Sequence, residues 1–456
     1  MVSPRDIVRS GLCIGCGSCV ANMPGARMRW DPYGQLKPAG PPGWYRNKSE
    51  AFSRQCPFSP KAADEDALAL GRFGSAPYHD LAIGRFERAF VGHAAEPGFR
   101  EQGSSGGMVS WVAAELLRSG KVDAVVHVSA ATDDQEGSPF FAYRISRSVV
   151  EIGRGAKSRY YPTELSEVIR AIRETPGRYA VVGVPCFIKA IHLLRAADAV
   201  VAERVTHTLG LFCGHMKSAH MVDSFAWQLG TELDRVRTID FRLKNSHRPA
   251  NWYRAQLSLT DGGSAEQDWW HLADGDWGAG FFQNPACDWC DDVVAETADV
   301  SFGDAWIEPF SSDGRGTNVV VARSRELKDL IEAARADGRL DLQPVDAEFI
   351  IRTQAAGLRH RRDGLAYRLT WRRRGIVPGK RVAPSVGLPL RRKLVYRLRY
   401  AIARWSHRLF RLARACRSPW IYTGWAHAAL RVYQSVTWSR GRLGRLLDVI
   451  YPQPEA

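Results

Sequence analysis

The spacing of the cysteines near the N-terminus constrains the fold of this chain more than any other feature. The stretch GLCIGCGSCVANMPG holds three cysteines at two-residue intervals, Cys13, Cys16 and Cys19. In two-cluster ferredoxins a fourth cysteine follows three residues later, precedes a proline and ligates the other cluster. Met23 stands at that place here, so the fourth ligand must come from elsewhere in the chain. Cys56, which a proline follows, is the predicted fourth ligand.

This set of thiols predicts an iron–sulfur cluster. Three thiols so closely spaced crowd a single zinc ion but suit the corners of a 4Fe–4S cubane. Gly15 and Gly17 allow the backbone to wrap around such a cluster, where its N–H groups can bond the sulfides. A zinc site stays open as the alternative, because a CxxC pair with two further thiolates also binds zinc.

Four other cysteines predict a second metal site, assembled from distant segments. They are Cys186, Cys213, Cys287 and Cys290. The first two stand at the ends of buried strands, where α/β sheets build their sites, and the last two form a CxxC pair on a loop. One four-thiol iron–sulfur site is favoured, with zinc or inert buried thiols as the alternatives. Cys416 occupies an apolar helical position and is interpreted as a packing residue.

The apolar pattern of residues 83–345 predicts an α/β (α+β) body with a mixed sheet. The predicted strands are rich in β-branched residues and contain VDAVVHVSA, YAVVGVP, THTLGLF, VRTIDFRL, YRAQLSLT, ADVSFGDAW and TNVVVARS. Helical patterns alternate with them at 106–118, 164–175, 186–197, 217–230 and 325–337. We therefore expect a small ferredoxin-like cluster domain with its connector over residues 1–82, this body, and a basic helical tail over 346–456.

A turn rich in glycine and serine precedes the first helical pattern of the body. It consists of Gly103, Ser104, Ser105, Gly106 and Gly107. Backbone N–H groups at a helix N-terminus attract anions, and small residues allow a phosphate to approach them. The turn is therefore a candidate phosphate site, although turns of this composition also precede helices that bind nothing. It is not a Walker A sequence, because no Gly-Lys-Ser/Thr follows.

Charge is distributed unevenly along the chain. Residues 357–446 contain 23 Lys or Arg and one acidic residue, Asp363, which gives this segment a net charge of +22. Asp448 and Glu455 contribute −2, so residues 1–356 carry −5 of the total of +15. An acidic body therefore carries a strongly basic tail, and the two need separate explanations.

The basic tail contains an amphipathic helical pattern. Its apolar positions recur at three- and four-residue steps at Leu394, Leu398, Ile402, Trp405, Leu409, Leu412 and Cys416. Arginines fill much of the remaining circumference, which is typical of a helix lying on an anionic membrane. A helix packed on the body or on another subunit is the alternative, and nonspecific nucleic-acid binding is a third. No run of 18 apolar residues is present, so no membrane-spanning helix is predicted. The N-terminus lacks the apolar segment of a secretory signal.

With these motifs assembled, the chain resembles the family of coenzyme F-420 hydrogenase/dehydrogenase beta subunits over about residues 10–340. The ordered motifs that carry the likeness are CIGCGSC, the Cys-Pro at 56–57, GSSGG, GRGAKSRYYP, VVGVPC, GLFC, DFRLK, NPACDWC and ADVSFGDAW. Relatives in this family include the beta subunit of an archaeal hydrogenase and 7-hydroxymethyl chlorophyll a reductase. Others stand beside polysaccharide-biosynthesis genes in bacteria.

The resemblance implies an oxidoreductase that contains FAD and two 4Fe–4S clusters. The turn at 103–107 would hold the FAD phosphates, together with a second segment formed by Lys157, Ser158, Arg159 and Tyr160. Relatives have Gly-Ser-Lys-Tyr in that segment, so Arg159 keeps the positive charge while Lys157 replaces a glycine. Three charged residues either line the substrate or flavin cleft or form salt bridges at a strand end: Asp240, Arg242 and Lys244. The sequence marks no residue as a catalytic acid or base.

The predicted function is electron transfer between the clusters and FAD, with hydride transfer to or from an unidentified substrate or a deazaflavin, linked to polysaccharide biosynthesis. Two other functions stay open: an electron-relay subunit of a larger complex, and a zinc-stapled nucleic-acid-binding protein. Expected partners are ferredoxin or another electron donor or acceptor, a small-molecule substrate, an anionic membrane and a second copy of the chain. Without a secretory signal, the protein is predicted to be cytoplasmic, where thiols stay reduced. The basic amphipathic tail predicts a peripheral location at the inner face of the membrane.

Overall fold

The computed structural model describes residues 1–131, 139–371 and 375–450. In these ranges the strands are β1 (Arg27–Trp30), β2 (Leu36–Ala39), β3 (Tyr78–Asp80), β4 (Gly84–Phe86), β5 (Arg88–Ala94), β6 (Ala124–Ala130), β7 (Phe141–Ser146), β8 (Tyr179–Gly183), β9 (Val205–Leu211), β10 (Val236–Asp240), β11 (Arg254–Leu259), β12 (Ser264–Asp268), β13 (Val300–Asp304), β14 (Asn318–Ala322) and β15 (Leu340–Val345).

The α-helices in the same ranges are α1 (Pro4–Arg9), α2 (Ser18–Ala21), α3 (Pro42–Arg46), α4 (Glu50–Gln55), α5 (Glu65–Phe73), α6 (Phe99–Gln102), α7 (Met108–Arg118), α8 (Val149–Arg154), α9 (Ser166–Glu174), α10 (Pro185–Arg195), α11 (Ala199–Arg204), α12 (His220–Gln228), α13 (Arg325–Ala336), α14 (Ala347–Thr353), α15 (Ala355–Arg361), α16 (Asp363–Leu369), α17 (Leu390–Ala415), α18 (Pro419–Trp438) and α19 (Gly441–Ile450). Short 3₁₀ helices cover Leu233–Arg235, Trp269–His271 and Pro285–Trp289.

A large mixed sheet confirms the predicted α/β body. Within the described residues its strand order is β15-β5-β14-β13-β9-β8-β6-β7. The strands from β13 to β6 run parallel in the middle, and antiparallel strands flank them on both sides. Successive residues of β8 enter different cores, because Tyr179 and Val181 pack on one face of the sheet while Ala180 and Val182 pack on the other. This burial on both faces explains why β8 reads as a continuous apolar run.

The predicted strands and helices of the body are confirmed, with differences of a few residues at their ends. The seven strand stretches contain β6, β8, β9, β10, β11, β13 and β14, and the five helical patterns overlap α7, α9, α10, α12 and α13. The sequence pattern missed β4, β5, β7, β12 and β15. Two of these, β7 and β15, lie at the edges of the large sheet, and β15 contains Pro344, which is tolerated at an edge.

The N-terminal segment shares an apolar core with the body. Leu12 and Phe52 belong to the same buried cluster as Val126 of β6 and Val181 of β8. In the segment itself, β1 and β2 form an antiparallel pair. The ferredoxin-like character of this segment stays a prediction, but its packing places the first cysteine set against the sheet.

The C-terminal helices confirm the predicted helical tail and pack against the body. The helices α17 and α18 form an antiparallel pair, in which Phe410 and Tyr422 join the core that contains Phe225 of α12. No helix in the described ranges is both long enough and apolar enough to cross a bilayer. Three arginines of the basic tail, at positions 372–374, lie outside the described residues.

The predicted apolar face of α17 is partly wrong. Leu394, Trp405 and Leu412 of that face are exposed. Cys416 is exposed as well, so its interpretation as a packing residue is wrong. The buried face consists of Val395, Tyr396, Ile402, Ala403, Ser406, His407, Phe410 and Ala413. Two polar residues lie on it because they satisfy the backbone of the body. The Ser406 hydroxyl accepts a hydrogen bond from the Phe282 N–H at 2.9 Å, and the His407 ring bonds the Gln283 carbonyl at 3.1 Å.

Candidate functional site

The first cysteine set converges as the sequence predicted. Cys13, Cys16, Cys19 and Cys56 line one pocket together with apolar side chains that include Leu12, Phe52 and Phe58. Cys56 enters the pocket as the C-terminal cap of α4. Met23 is not among the residues that line this pocket.

Two glycines shape the backbone around this pocket. Gly15 and Gly17 both adopt positive φ values, +85° and +78°, which favour glycine. A Cβ atom on Gly15 would lie 2.6 Å from the carbonyl oxygen of Leu36. The neighbouring carbonyl of Cys16 accepts a hydrogen bond from the Leu165 N–H at 2.9 Å, which ties the loop to the start of α9.

The thiols of the first set disfavour one another's ionisation. Burial, with smaller contributions from the charges of Cys13 and Glu164, raises the pKa of Cys16 to about 11. Burial and then the charge of Cys16 raise the pKa of Cys56 as well. A bound metal or cluster supplies the positive charge that four buried thiolates require, so this donor set fits a 4Fe–4S cluster.

The second cysteine set also converges, although its members come from three distant segments. Cys186 lies in the first turn of α10, Cys213 follows β9, and Cys287 and Cys290 lie in and after the 3₁₀ helix Pro285–Trp289. Burial raises the pKa of Cys186, and the charges of Cys290, Cys213 and Cys287 raise it further. Across the described residues, no three His, Cys, Asp or Glu side chains are arranged to hold a single metal ion.

Arg361 is a buried cation beside the second set that the sequence analysis missed. Its guanidinium donates to the carbonyl of Cys287 at 2.6 Å and also to the carbonyl of Gly214. Burial disfavours this cation, but the charges of the four thiols outweigh burial and raise the pKa of Arg361. A fixed positive charge next to four thiolates fits a cluster that carries net negative charge. Since Arg361 is 70 residues or more from each cysteine of the second set in sequence, no local pattern could have assigned it.

The two cysteine sets are neighbours. The charges of Cys186 and Cys16 both raise the pKa of Tyr143, whose largest shift comes from burial. Cys16, Cys186, Cys287 and Cys290 also belong to one buried cluster. Groups held at these sets would therefore lie close together inside the protein.

The turn at 103–107 and the segment at 157–160 lie together, as the resemblance implied. The Ser158 N–H donates to the Ser104 hydroxyl at 2.8 Å. The Ser105 hydroxyl donates to the carbonyl of Thr317 at 3.1 Å, which anchors the turn to the start of β14. A Cβ atom on Gly106 would lie 2.9 Å from both Asn318 and Gly92. The body itself therefore requires a small residue at Gly106.

The segment at 157–160 keeps a glycine-like backbone at its first residue. Lys157 has a φ of +126°, in the region that favours glycine, although this chain carries a lysine there. The Arg159 guanidinium lies over the ring of Phe141, 4.8 Å from its centre. Its Nε is buried without a hydrogen-bond partner among the described residues, and burial lowers the pKa of Arg159. A buried cation beside the turn, with a donor still unused, fits an anionic ligand.

Charged residues at the end of β10 and just after it form ion pairs, and one of them contacts the same turn. Lys157 pairs with Asp240 at 3.1 Å and Arg242 pairs with Asp304 at 3.1 Å, so these residues form the salt bridges that the sequence left as an alternative. Lys244 instead contacts the turn, and its ammonium donates to the carbonyls of Ser105 and Arg315 at 2.9 and 2.7 Å.

The pKa of Lys244 reports an excess of positive charge at this turn. Burial, followed by the charges of Lys157, Arg100 and Arg242, lowers that pKa to about 8. A phosphate bound here would relieve the repulsion among these cations. The residues of the turn and its surroundings therefore fit the phosphates of FAD.

A row of ring contacts connects this region to the second cysteine set. The Trp277 ring lies 4.7 Å from Tyr160 and 4.2 Å from His215, measured between ring centres. His215 follows Cys213 by two residues, and Gly214 between them leaves room for the indole, because a Cβ there would lie 2.6 Å from the Trp277 nitrogen. The sequence analysis did not identify Trp277, whose role depends on residues about 60 and 120 positions away.

Two family models match most of the body. Residues 89–170 match the model "Coenzyme F420 hydrogenase/dehydrogenase, beta subunit N-term", and residues 177–348 match the model for the C terminus of the same subunit. The matched residues include the predicted cofactor turn and all four cysteines of the second set.

Two characterised proteins are similar to this chain over most of its length. Coenzyme F420-dependent sulfite reductase from Methanocaldococcus jannaschii is 22% identical over 343 residues, which cover 72% of this chain and 47% of that protein. One of the subunits of the F(420)H(2) dehydrogenase from Methanosarcina mazei is 24% identical over 329 residues, 67% of this chain and 80% of that protein. The chain thus spans about half the length of the sulfite reductase.

Among solved structures, a chain of the F420-reducing [NiFe] hydrogenase complex from Methanosarcina barkeri is similar, with 18% identity and a TM-score of 0.49. The likeness covers 66% of this chain and 98% of that one.

Proposed function

The chain belongs to the family of coenzyme F420 hydrogenase/dehydrogenase beta subunits, and on this premise we propose that it is an iron–sulfur flavoprotein oxidoreductase. Two 4Fe–4S clusters would supply single-electron transfer, and FAD would supply hydride exchange with a small-molecule substrate or a deazaflavin. The observation that carries the proposal is the contiguity of three sites. The two cysteine sets adjoin, and contacts between aromatic rings link the second set to the segment beside the cofactor turn.

The thiols hold the clusters in this proposal, and the surrounding chain sets their environment. The first set uses Cys13, Cys16, Cys19 and Cys56, and the second uses Cys186, Cys213, Cys287 and Cys290. Apolar side chains exclude water from both sets. Arg361 adds a buried positive charge at the second set, so the protein stabilises negative charge there.

The turn at 103–107 binds the phosphates of FAD in this proposal. Lys244 and Arg159 supply positive charge, and Ser104 keeps the segment at 157–160 against the turn. Tyr160 and Trp277 offer apolar faces for a planar ring on the side of the second cysteine set. The substrate, and a link to polysaccharide biosynthesis, stay predictions of the sequence resemblance.

A second candidate function is an electron-relay subunit of a larger complex. It is favoured by the similarity to one subunit of the Methanosarcina mazei dehydrogenase, because that relative is itself a component of a larger enzyme. In that role the chain would receive electrons from ferredoxin or another protein and pass them to a partner, or to a second copy of itself. We also place the protein at the inner, cytoplasmic face of an anionic membrane, held by its C-terminal helices.

Anaerobic purification of the full chain tests the proposal. We expect a flavin absorption band above a broad brown shoulder, about eight irons per chain for two cubane clusters, and FAD released on denaturation. If added deazaflavin or a small-molecule acceptor reoxidises the reduced protein, the result favours an enzyme. If the protein turns over only with a protein partner, the result favours the relay subunit.

A matched set of variants locates the metal. Cys186→Ala should remove about four irons per chain, and Cys416→Ala, a change at an exposed thiol, should remove none. A colourless protein that contains zinc at both cysteine sets would overturn the proposal and favour the zinc-stapled alternative.

A further inference from the structure

The end of the C-terminal helix pair is held together by one buried arginine. Arg391, in the first turn of α17, is 7% exposed. Its guanidinium donates to the carbonyl of Val436 at 2.7 Å and to the hydroxyl of Ser439 at 2.9 Å, and it also pairs with Asp448. These bonds join the start of α17, the end of α18 and the helix α19. The three helix segments therefore form one surface.

Apolar side chains on this surface are exposed although the surrounding helices are well packed. They are Leu390, Leu394, Trp438, Leu443, Leu446, Val449 and Ile450, called here the apolar patch. In α19 the exposed residues Leu443, Leu446 and Ile450 follow helical spacing along one stripe, while Leu447 packs against the core. Val449 is 82% exposed and Trp438 is 62% exposed. A continuous exposed stripe of this kind indicates a surface with a partner.

The charge around the apolar patch specifies the chemistry of that partner. Arg392, Arg440, Arg442 and Arg445 are exposed beside it. Asp448, the acidic residue of this surface, is already paired with Arg391. An exposed tryptophan, aliphatic side chains and arginines on one short amphipathic helix match the boundary of an anionic bilayer, where apolar groups enter the lipid and cations stay among the headgroups.

We propose that the apolar patch, with α19 as its main element, is the surface by which this protein binds an anionic membrane. The inference deepens the membrane location given above and does not involve the cofactor sites. Of the α17 stripe predicted from the sequence, the patch keeps only Leu394, and Ile402 of that stripe is buried in the core. A nucleic acid is a poorer match, because phosphate contacts would use the arginines and leave the aliphatic stripe in water.

Flotation of the full-length protein with lipid vesicles tests the inference. Vesicles of phosphatidylcholine mixed with phosphatidylglycerol should carry the protein, whereas vesicles of pure phosphatidylcholine should carry much less. Leu446→Ser combined with Ile450→Ser should abolish flotation. Arg442→Ser and Arg445→Ser should each lower the partition coefficient about fivefold at low salt and less at high salt.

Trp438→Ala, which removes the exposed indole of the apolar patch, should lower flotation, and Trp420→Ala is its matched control. Trp420 is 78% exposed but begins α18, at the opposite end of the helix pair, so its loss should leave flotation unchanged. Equal flotation with both kinds of vesicle, or full flotation of the Leu446/Ile450 variant, would overturn the inference. If the protein binds duplex DNA but not vesicles, and the Leu446/Ile450 variant still binds DNA, the surface would be assigned to nucleic acid instead.

Iron and flavin content of the same preparations separates the two proposals. Patch variants that lose vesicle binding but keep their iron and flavin leave the redox function in place. Vesicle binding by a protein that contains neither iron nor flavin would support the membrane surface while the redox proposal fails.

Discussion

The two cysteine sets show two ways of building a buried site of four thiols. Three members of the first set lie within seven residues, and two glycines with positive φ bend the backbone between them. The second set draws its thiols from three segments that span more than 100 residues, and it depends on Arg361 from α15 to neutralise them. The thiols of the first site are therefore mostly local, whereas those of the second are brought together by tertiary packing. Replacing Arg361, which contacts the second set, should damage that set alone.

Replacing Arg361 should give the largest effect and should strike the second set alone. Arg361→Leu leaves buried carbonyls and thiols without their cation, and the free energy of unfolding should fall by about 3 kcal/mol or more. We expect the protein to lose about four irons per chain and to keep the other four. Chemical unfolding and iron analysis measure both effects.

Arg359→Leu is the control for this variant, because Arg359 is exposed on the same helix. If Arg361→Leu removed iron equally from both sets, the two sites would depend on the same residue, and the difference drawn between them would be wrong.

Replacing Cys56 should empty the first set and leave the second set intact. Cys56→Ala removes the single distant ligand of the first set, so about four irons should be lost while those of the second set remain. Met23→Ala is the control and should leave iron unchanged, because Met23 lies outside the pocket. Iron loss from the Met23 variant but not from the Cys56 variant would show that the fourth ligand is assigned wrongly.

A bulky residue in the cofactor turn should have a smaller effect, confined to the flavin. Gly106→Val places side-chain atoms against Asn318 and Gly92, which should cost about 1–3 kcal/mol of stability and displace the turn. Flavin content should fall strongly, and both cysteine sets should keep their iron. Gly71→Val is the control, since a Cβ there meets no atom within 4 Å. Normal flavin content in the Gly106 variant would place the cofactor elsewhere.

The pH dependence of flavin binding should give the smallest effect. The pKa of Lys244 is lowered to about 8, and a bound phosphate would raise it. Flavin affinity should therefore be constant below pH 8 and should fall by up to about tenfold per pH unit above it, as the free protein loses this proton first.

The contribution of Lys244 to folding stability changes with pH in the opposite direction to flavin affinity. Between about pH 8 and the ordinary lysine pKa the unfolded chain holds the proton more tightly, so the contribution of Lys244 to stability rises with pH in that window. Lys244→Arg stays charged and should remove the pH dependence of flavin binding measured by fluorescence titration. A profile unchanged by this substitution would show that Lys244 does not contact the cofactor.

The sequence was most informative where short-range pattern and burial agree. Apolar runs such as YAVVGVP predicted β8 because that strand is buried on both faces. The sequence was least informative about which face of a helix or strand packs against another segment. The buried face of α17 includes Ser406 and His407, and a hydrophobic pattern cannot place polar residues that satisfy the backbone of another segment. The edge strands β7 and β15 were missed for a related reason, since strands at an edge lack the continuous burial that produces a strong pattern.

By itself, the sequence determined the cysteine inventory, the mixed α/β body, the glycine-rich turn and the unequal distribution of charge. These features arise from residue identity and from spacing over a few residues, which are fixed before any long-range contact forms. Only the tertiary structure decided that Arg361 faces the second cysteine set, that Trp277 lies between Tyr160 and His215, and that the exposed apolar surface of the tail lies on α19. Each of these depends on the packing of segments distant in sequence, because buried charges, ring contacts and exposed stripes are defined by neighbours that the chain supplies only after it folds.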